Sequence, residues 1–154
     1  MSFSRSRSAA VLLVIAVVSA GVTACANRPR PRLAYEERPV ELLYTTAYDR
    51  LERGRWRDAI DYFQEVERQH PYSEWSRHAI LMQVYAHYQG GNYAEAISAS
   101  DRFIQLFPGN PSAVYAFYMR AVCLFEQIVD VGRDQGNAEQ ALLGLREVVR
   151  RFPG

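Results

Sequence analysis

From residue 39 onward, apolar and polar positions alternate with the period of an α-helix, in six blocks separated by short polar, glycine or proline breaks. Leu43 and Ala47, Ile80 and Val84, and Phe117 and Ala121 are pairs four residues apart, one above the other on a helix face. The blocks predict helices over Pro39–Arg53, Trp56–Gln69, Glu74–Gln89, Tyr93–Leu106, Pro111–Val131 and Asn137–Arg151. The N-terminal part is patterned differently. Met1–Ser8 is polar and basic, and Ala9–Ala20 is a 12-residue apolar run followed by small residues up to Cys25.

The six blocks form a repeat. Gly54-Arg55-Trp56-Arg57-Asp58-Ala59-Ile60 aligns with Gly91-Asn92-Tyr93-Ala94-Glu95-Ala96-Ile97 at an offset of 37, which also carries Tyr48 to Tyr85, Leu51 to Tyr88, Pro71 to Pro108 and Ser73 to Asn110. A third copy, Asn137–Leu142 ending at Phe152-Pro153, follows the second at an offset of 45. In each copy a first helix, A, runs to a break and a second, B, crosses it at an alanine and stops at a proline. In the first two copies the break is a glycine, suited to a tight turn. Ser73 and Asn110 suit helix N-caps, and Pro111 suits a first helical position. The extra eight residues of the third copy fall around Ile128–Gln135 and imply a longer helix A or a projecting loop.

This pattern resembles the tetratricopeptide repeat, whose usual period is about 34 residues. Ala59 and Ala96 match its small residue, Phe63 its helix B aromatic, and Pro71, Pro108 and Pro153 its closing proline. Leu43, Ile80 and Phe117 stand where the repeat has tryptophan. The fold expected is all-α, a tetratricopeptide-repeat-like solenoid of about three helix pairs (about 39–71, 74–108 and 111–153).

The N-terminal order of basic, apolar and small residues is that of a secretory signal over residues 1–24. The uncharged stretch Ser8–Asn27 is long enough to span a membrane, but its strongly apolar core is only 12 residues, which fits a signal better. Val22-Thr23-Ala24-Cys25 resembles the lipobox of bacterial lipoproteins, with Val22 where leucine is usual. The resemblance implies cleavage before Cys25, acylation of that cysteine, and, with Ala26 next, export to the outer membrane. Residues 25–38 then read as a tether in which Pro29 and Pro31 oppose helix and Arg28, Arg30 and Arg32 face water or lipid headgroups.

Lipobox, tether and long-period repeats with His70-Pro71-Tyr72-Ser73 and Tyr118-Met119-Arg120-Ala121 together resemble the BamD family of β-barrel assembly lipoproteins. The resemblance implies a non-enzymatic scaffold on the periplasmic face of the outer membrane. Its implied partners are a barrel-forming insertase subunit, other lipoproteins of the complex, unfolded outer-membrane clients, and the membrane through the lipid anchor. It also implies further repeats beyond Gly154, where the residues docking the insertase would lie. A pilotin-like lipoprotein serving secretin or pilus assembly is the alternative, and a periplasmic enzyme carrying a repeat domain a third class.

Charge and chemistry narrow this further. The chain of 154 residues has 18 basic residues, all arginine, against 17 acidic ones, and is slightly acidic from Cys25 on, which gives no footprint for nucleic acid. With two cysteines and three widely spaced histidines (His70, His78 and His87), no metal site and no cofactor are expected. Asp130 and Asp134 flank Gly132 without the order of a calcium loop. Cys123 reads as a buried thiol and His70 as a helix-end residue.

Aromatic residues stand out instead. A stripe on each helix A gives Tyr44 and Tyr48; His78, Leu81, Tyr85 and Tyr88; and Tyr115, Tyr118, Val122 and Phe125. By the tetratricopeptide resemblance this face lines a concave groove, so Tyr44, Tyr48, Leu81, Tyr85, Tyr88, Tyr115, Tyr118 and Phe125 are the candidate peptide-binding residues. Packing between repeats is the competing reading, and the sequence leaves both open.

If Cys25 is acylated, mass spectrometry of the purified protein finds it as the lipid-bearing first residue, and Cys25→Ser no longer sediments with outer membranes. Cleavage at another residue would remove the anchor.

Overall fold

The structure, a computed structural model, describes Leu33, residues 36–128 and residues 135–153. Cys25, the proline- and arginine-containing segment before Leu33, and Asp130, Gly132 and Asp134 lie outside the described residues. Six helices follow in order: α1 Val40–Glu52, α2 Trp56–Gln69, α3 Glu74–Gln89, α4 Tyr93–Leu106, α5 Ala113–Glu126 and α6 Gln135–Arg151. There are no strands among the described residues. The chain is an all-α repeat of three helix pairs. Helices α2, α3 and α4 have the bounds predicted from the sequence.

Helix α1 is one residue shorter than predicted at each end, and the larger departures lie at the third pair. Helix α5 starts at Ala113 rather than Pro111, because Asn110 organises the turn before it. Asn110 Oδ1 accepts from the Ser112 amide at 2.8 Å, and the Asn110 carbonyl accepts from Ala113 at 2.9 Å. The helix ends at Glu126, short of the predicted Val131, and α6 begins two residues before the predicted Asn137. Ser73 caps α3 as expected, its hydroxyl accepting from the Ser76 amide at 3.0 Å.

Helices A and B are joined by the same turn in the first two pairs. The Arg55 amide reaches back to the Arg50 carbonyl and the Gly54 amide to Leu51; Asn92 and Gly91 do the same with His87 and Tyr88. This double bond pattern needs a left-handed residue, supplied by Gly54 at φ 69° and Gly91 at φ 71°.

Packing follows from the alanines at the crossings. Ala47, Ala59, Ala96, Ala121 and Ala141 are all buried, letting the two helices of a pair approach closely. At the third crossing a Cβ on Gly144 would lie 3.0 Å from the Cβ of Ala121. Each helix packs on the next, and α3 also stacks on α1 and on α5; among the described residues the backbones of α2, α4 and α6 do not approach one another. The A helices therefore form the inner row of the repeat and the B helices splay outward. Phe63 and Val66 of α2 are enclosed with Leu43 and Ala79, and Phe103 of α4 with Ala113, Ala116 and Phe117 of α5. Helix B of one pair thus covers, and is covered by, the next helix A.

The segment before α1 is fastened to the end of α2. The Arg38 amide donates to Gln69 Oε1 at 3.0 Å, Gln69 Nε2 donates to the Glu36 carbonyl at 2.8 Å, and His70 Nε2 lies 3.1 Å from the Arg38 carbonyl. Glu65, nearly buried behind this latch, is bonded by Arg68 and Gln69. Burial would raise its pKa, but those hydrogen bonds and the Arg68 charge outweigh burial and hold the carboxyl below the usual range.

Replacing Gly91 by alanine tests the turn. Its Cβ would meet nothing within 4 Å, so the cost is backbone strain alone. Urea denaturation should show a loss of about 1–2 kcal/mol for Gly91→Ala and none for Gly109→Ala, which has open space and no positive φ. Equal stabilities would refute the strained-turn assignment.

Candidate functional site

The inner row of A helices holds a cavity of about 410 Å³. Tyr48, Leu51 and Glu52 come from α1, Trp56 from the start of α2, Met82 and Tyr85 from α3, and Tyr115 from α5. Three successive repeats thus contribute to one groove, which no single helix pair could form. Its walls are aromatic and aliphatic, with Glu52 the only charged side chain lining it. Tyr48 is 45% exposed, while Tyr85 and Tyr115 are half-buried. Burial pushes the Tyr115 hydroxyl up to about 12, with the nearby Tyr85 adding to the shift, so it stays a neutral hydrogen-bonding group.

The predicted stripe divides into two sets. Tyr44, Leu81 and Tyr118 occupy one equivalent position, 37 residues apart. Tyr44 packs edge-on to Phe63 at 5.4 Å and against Trp75 of the next helix A at 4.9 Å. Leu81 is only 8% exposed, enclosed with Phe117 and Ala116 of α5. Tyr44 and Leu81 pack between repeats, and none of the three lines this cavity. Leu51, Tyr88 and Phe125 form a second such series: Leu51 is buried, Tyr88 packs beside Val84 and Met119 and against Tyr93 at 5.9 Å, and Phe125 is 60% exposed. Of these, only Leu51 reaches the groove. Tyr118 is 48% exposed and likewise lies outside the cavity lining. Of the predicted stripe, Tyr48, Tyr85 and Tyr115 line this cavity, Tyr44, Leu81 and Tyr88 pack against neighbouring helices, and Tyr118 and Phe125 are exposed outside its lining. Trp56 and Met82 were missed. Met82 lies three residues before Tyr85 on the same face, and Trp56 follows the Gly54 turn, so both were within reach of the same spacing argument.

Residues 36–154 match the YfiO family, described as outer membrane lipoprotein. This chain is a member of the YfiO family. It is 64% identical over 145 residues to a Caulobacter vibrioides protein named outer membrane protein assembly factor BamD, covering 94% of this chain and 48% of that protein. Proteins of the same name from Rickettsia prowazekii and Xylella fastidiosa are each 30% identical, over 75% and 98% of this chain and 46% and 54% of theirs. The chain spans about half the length of these curated relatives.

In this YfiO family member the cysteine and histidines of the described residues lie apart from that cavity. Cys123 is buried in α5, and burial pushes its thiol up to about 11, so it is not a thiolate at neutral pH. His70 belongs to the latch before α1, and His78 is exposed. Burial pushes the His87 pKa below its ordinary value, more than Glu95 pulls it up, and its Nδ1 has no hydrogen-bond partner among the described residues. His87 borders an outer cleft of about 370 Å³ between the splayed α2 and α4, which the Glu67–Arg102 ion pair bridges. Among the described residues no group of three or more His, Cys, Asp or Glu is placed to hold a metal ion, and no helix is long and apolar enough to cross a membrane.

The register assignment makes a paired forecast for this chain. Leu81→Ala removes an enclosed side chain and should cost about 2–5 kcal/mol in denaturant unfolding. Tyr118→Ala, at the equivalent position but half exposed, should cost well under half as much. Equal losses would mean that Tyr118 is packed as firmly as Leu81 despite its exposure.

Proposed function

We propose that this chain is part of a non-catalytic, lipid-anchored scaffold for assembly of β-barrel proteins in the outer membrane, and that its inner groove holds an extended segment of an unfolded client. The carrying observation is the single cavity that Tyr48, Tyr85 and Tyr115 build across three A helices. The name shared by the relatives supports the assembly role. Those relatives lend nothing to the pilotin-like alternative.

The chemistry of the groove fits such a client. Barrel strands alternate side chains that will face lipid with polar ones, and aromatics ring the barrel ends. An aromatic residue entering between Tyr48, Met82 and Tyr85 would exchange water for ring and thioether contacts, while tyrosine hydroxyls hydrogen-bond the backbone. The groove is neutral apart from Glu52, so binding would rest on apolar area rather than on charge. Release needs no energy input, only a competing partner that buries the segment better, such as the insertase. Cys25 would hold the scaffold at the periplasmic face of the outer membrane, and docking to the insertase and the other lipoproteins would fall to surfaces outside the groove.

Tyr85 also packs against the first core cluster, so Tyr48, which stands on the groove lip, is the cleaner probe. Tyr48→Ala should weaken binding of a peptide ending in an aromatic residue by about 2 kcal/mol, roughly 30-fold. Its melting temperature should stay near wild type, and Tyr118→Ala should leave the affinity unchanged. Undiminished binding by Tyr48→Ala, or equal losses in both variants, would move the client site elsewhere.

A further inference from the structure

One edge of the repeat collects features that neither the groove nor the stacking uses. Helices α1, α3 and α5 start at this edge and α2, α4 and α6 end there, as contacts across each pair show. Arg38 meets Gln69, the Arg77 guanidinium sits 5.8 Å from the Phe107 ring, and the Arg151 guanidinium 4.9 Å from the Phe117 ring. The loops on it are His70-Pro71-Tyr72-Ser73 and Phe107-Pro108-Gly109-Asn110-Pro111-Ser112, neither of which carries a formal charge. Tyr72 is 95% exposed at its loop tip, and Leu106, ending α4, is 56% exposed. Both present apolar surface to solvent. Most charges beside them are paired, Glu36 with Arg38, Glu74 with Arg77, and Glu147 with Arg151, leaving exposed Glu37 in the entering segment.

The chain enters the repeat at this same edge. The latch of Gln69 and His70 on Glu36 and Arg38 fixes where the N-terminal segment joins, beside Tyr72. The 12 residues from Ala26 to Glu37 can span at most roughly 40 Å. The opposite edge, with its Arg53-Gly54-Arg55 turn, lies a helix length farther away, about 21 Å for 14 residues.

We infer that this loop edge is a membrane-facing surface, on which Tyr72 and Leu106 rest in the headgroup region of the bilayer that holds the anchor. The inference depends on the lipid anchor proposed above. Tyrosine favours the membrane interface, where its ring meets acyl chains and its hydroxyl meets water. Two such side chains bind a bilayer only weakly by themselves. A short tether changes this by keeping them at high effective concentration over the lipid. Paired flanking charges avoid repulsion by anionic headgroups. The surface would then orient the repeat and fix how the groove is presented.

Site-directed spin labelling on the full chain tests this. Gly109→Cys puts a nitroxide on the loop edge where a side chain has open space, and Arg53→Cys puts one on the opposite edge; both carry Cys123→Ala. The protein is reconstituted into phosphatidylethanolamine–phosphatidylglycerol vesicles, with acylation of Cys25 established by mass spectrometry. The ratio of oxygen to nickel-chelate accessibility should be several-fold higher at 109 than at 53. It should fall to the value at 53 when Tyr72→Ser and Leu106→Ser are added. Equal aqueous ratios at both sites in acylated protein would overturn the inference. So would protection of 109 from both reagents, the mark of a protein contact such as a second copy. Absence of the acyl chains fails the anchor reading instead, and is visible by mass before any spectrum is taken.

Discussion

A helix pair of this size cannot enclose its own apolar face, and everything in the repeat follows from that deficit. The alanine crossings bring helices A and B close enough to expose a ridge of larger side chains toward the next pair. Phe63 and Val66 on α2, and Phe103 on α4, are enclosed only because a further helix A lies against them. The same positions on α6 hold Leu145 and Val148, and Leu145 with its neighbours Leu142 and Val149 is exposed. Stability here is a sum of nearest-neighbour contacts rather than the property of one central core.

That stacking creates the groove as a by-product. Because the backbones of successive A helices approach one another and those of the B helices do not, curvature places successive A faces side by side. Residues pointing between repeats are used up by packing, and those one helical step around face the hollow. Tyr44 and Tyr48 differ by a single turn of α1, yet one sits against Trp75 and the other on the groove lip. On the outer side the splay opens a cleft that Glu67, Arg102 and Gln83 close with a polar bridge.

Much of this was legible in the sequence because repeats are read by comparison with themselves. The offset of 37 located the alanines, the turn glycines and the capping serine without any structure. Helix α5 was overextended because the apolar pattern ran on past Glu126, and periodicity carries no signal for where packing support ends. Asn110 was read as a cap, whereas its side chain closes a turn two residues earlier than the helix; an Asx turn and an N-cap look alike in sequence. The stripe was ambiguous for a different reason. An aromatic every three or four residues covers more than 100° of helix surface, so it necessarily spans both the groove and the inter-repeat seam. Equivalent positions across the copies do not all behave alike: Tyr44 and Leu81 are packed while Tyr118 is half exposed, and Leu51 reaches the cavity while Tyr88 does not.

Groove and stacking are therefore mechanically linked. Tyr85 lines the cavity and also leans on the core cluster built around Leu43, Phe63 and Ala79, and Tyr115 borders both the cavity and the seam packed around Ala99 and Met119. A ligand that wedges against these rings pushes on the contacts that set the spacing of α1, α3 and α5. Its affinity then depends on how much the stack yields, and anything that shifts the relative tilt of these helices alters the cavity without touching its lining.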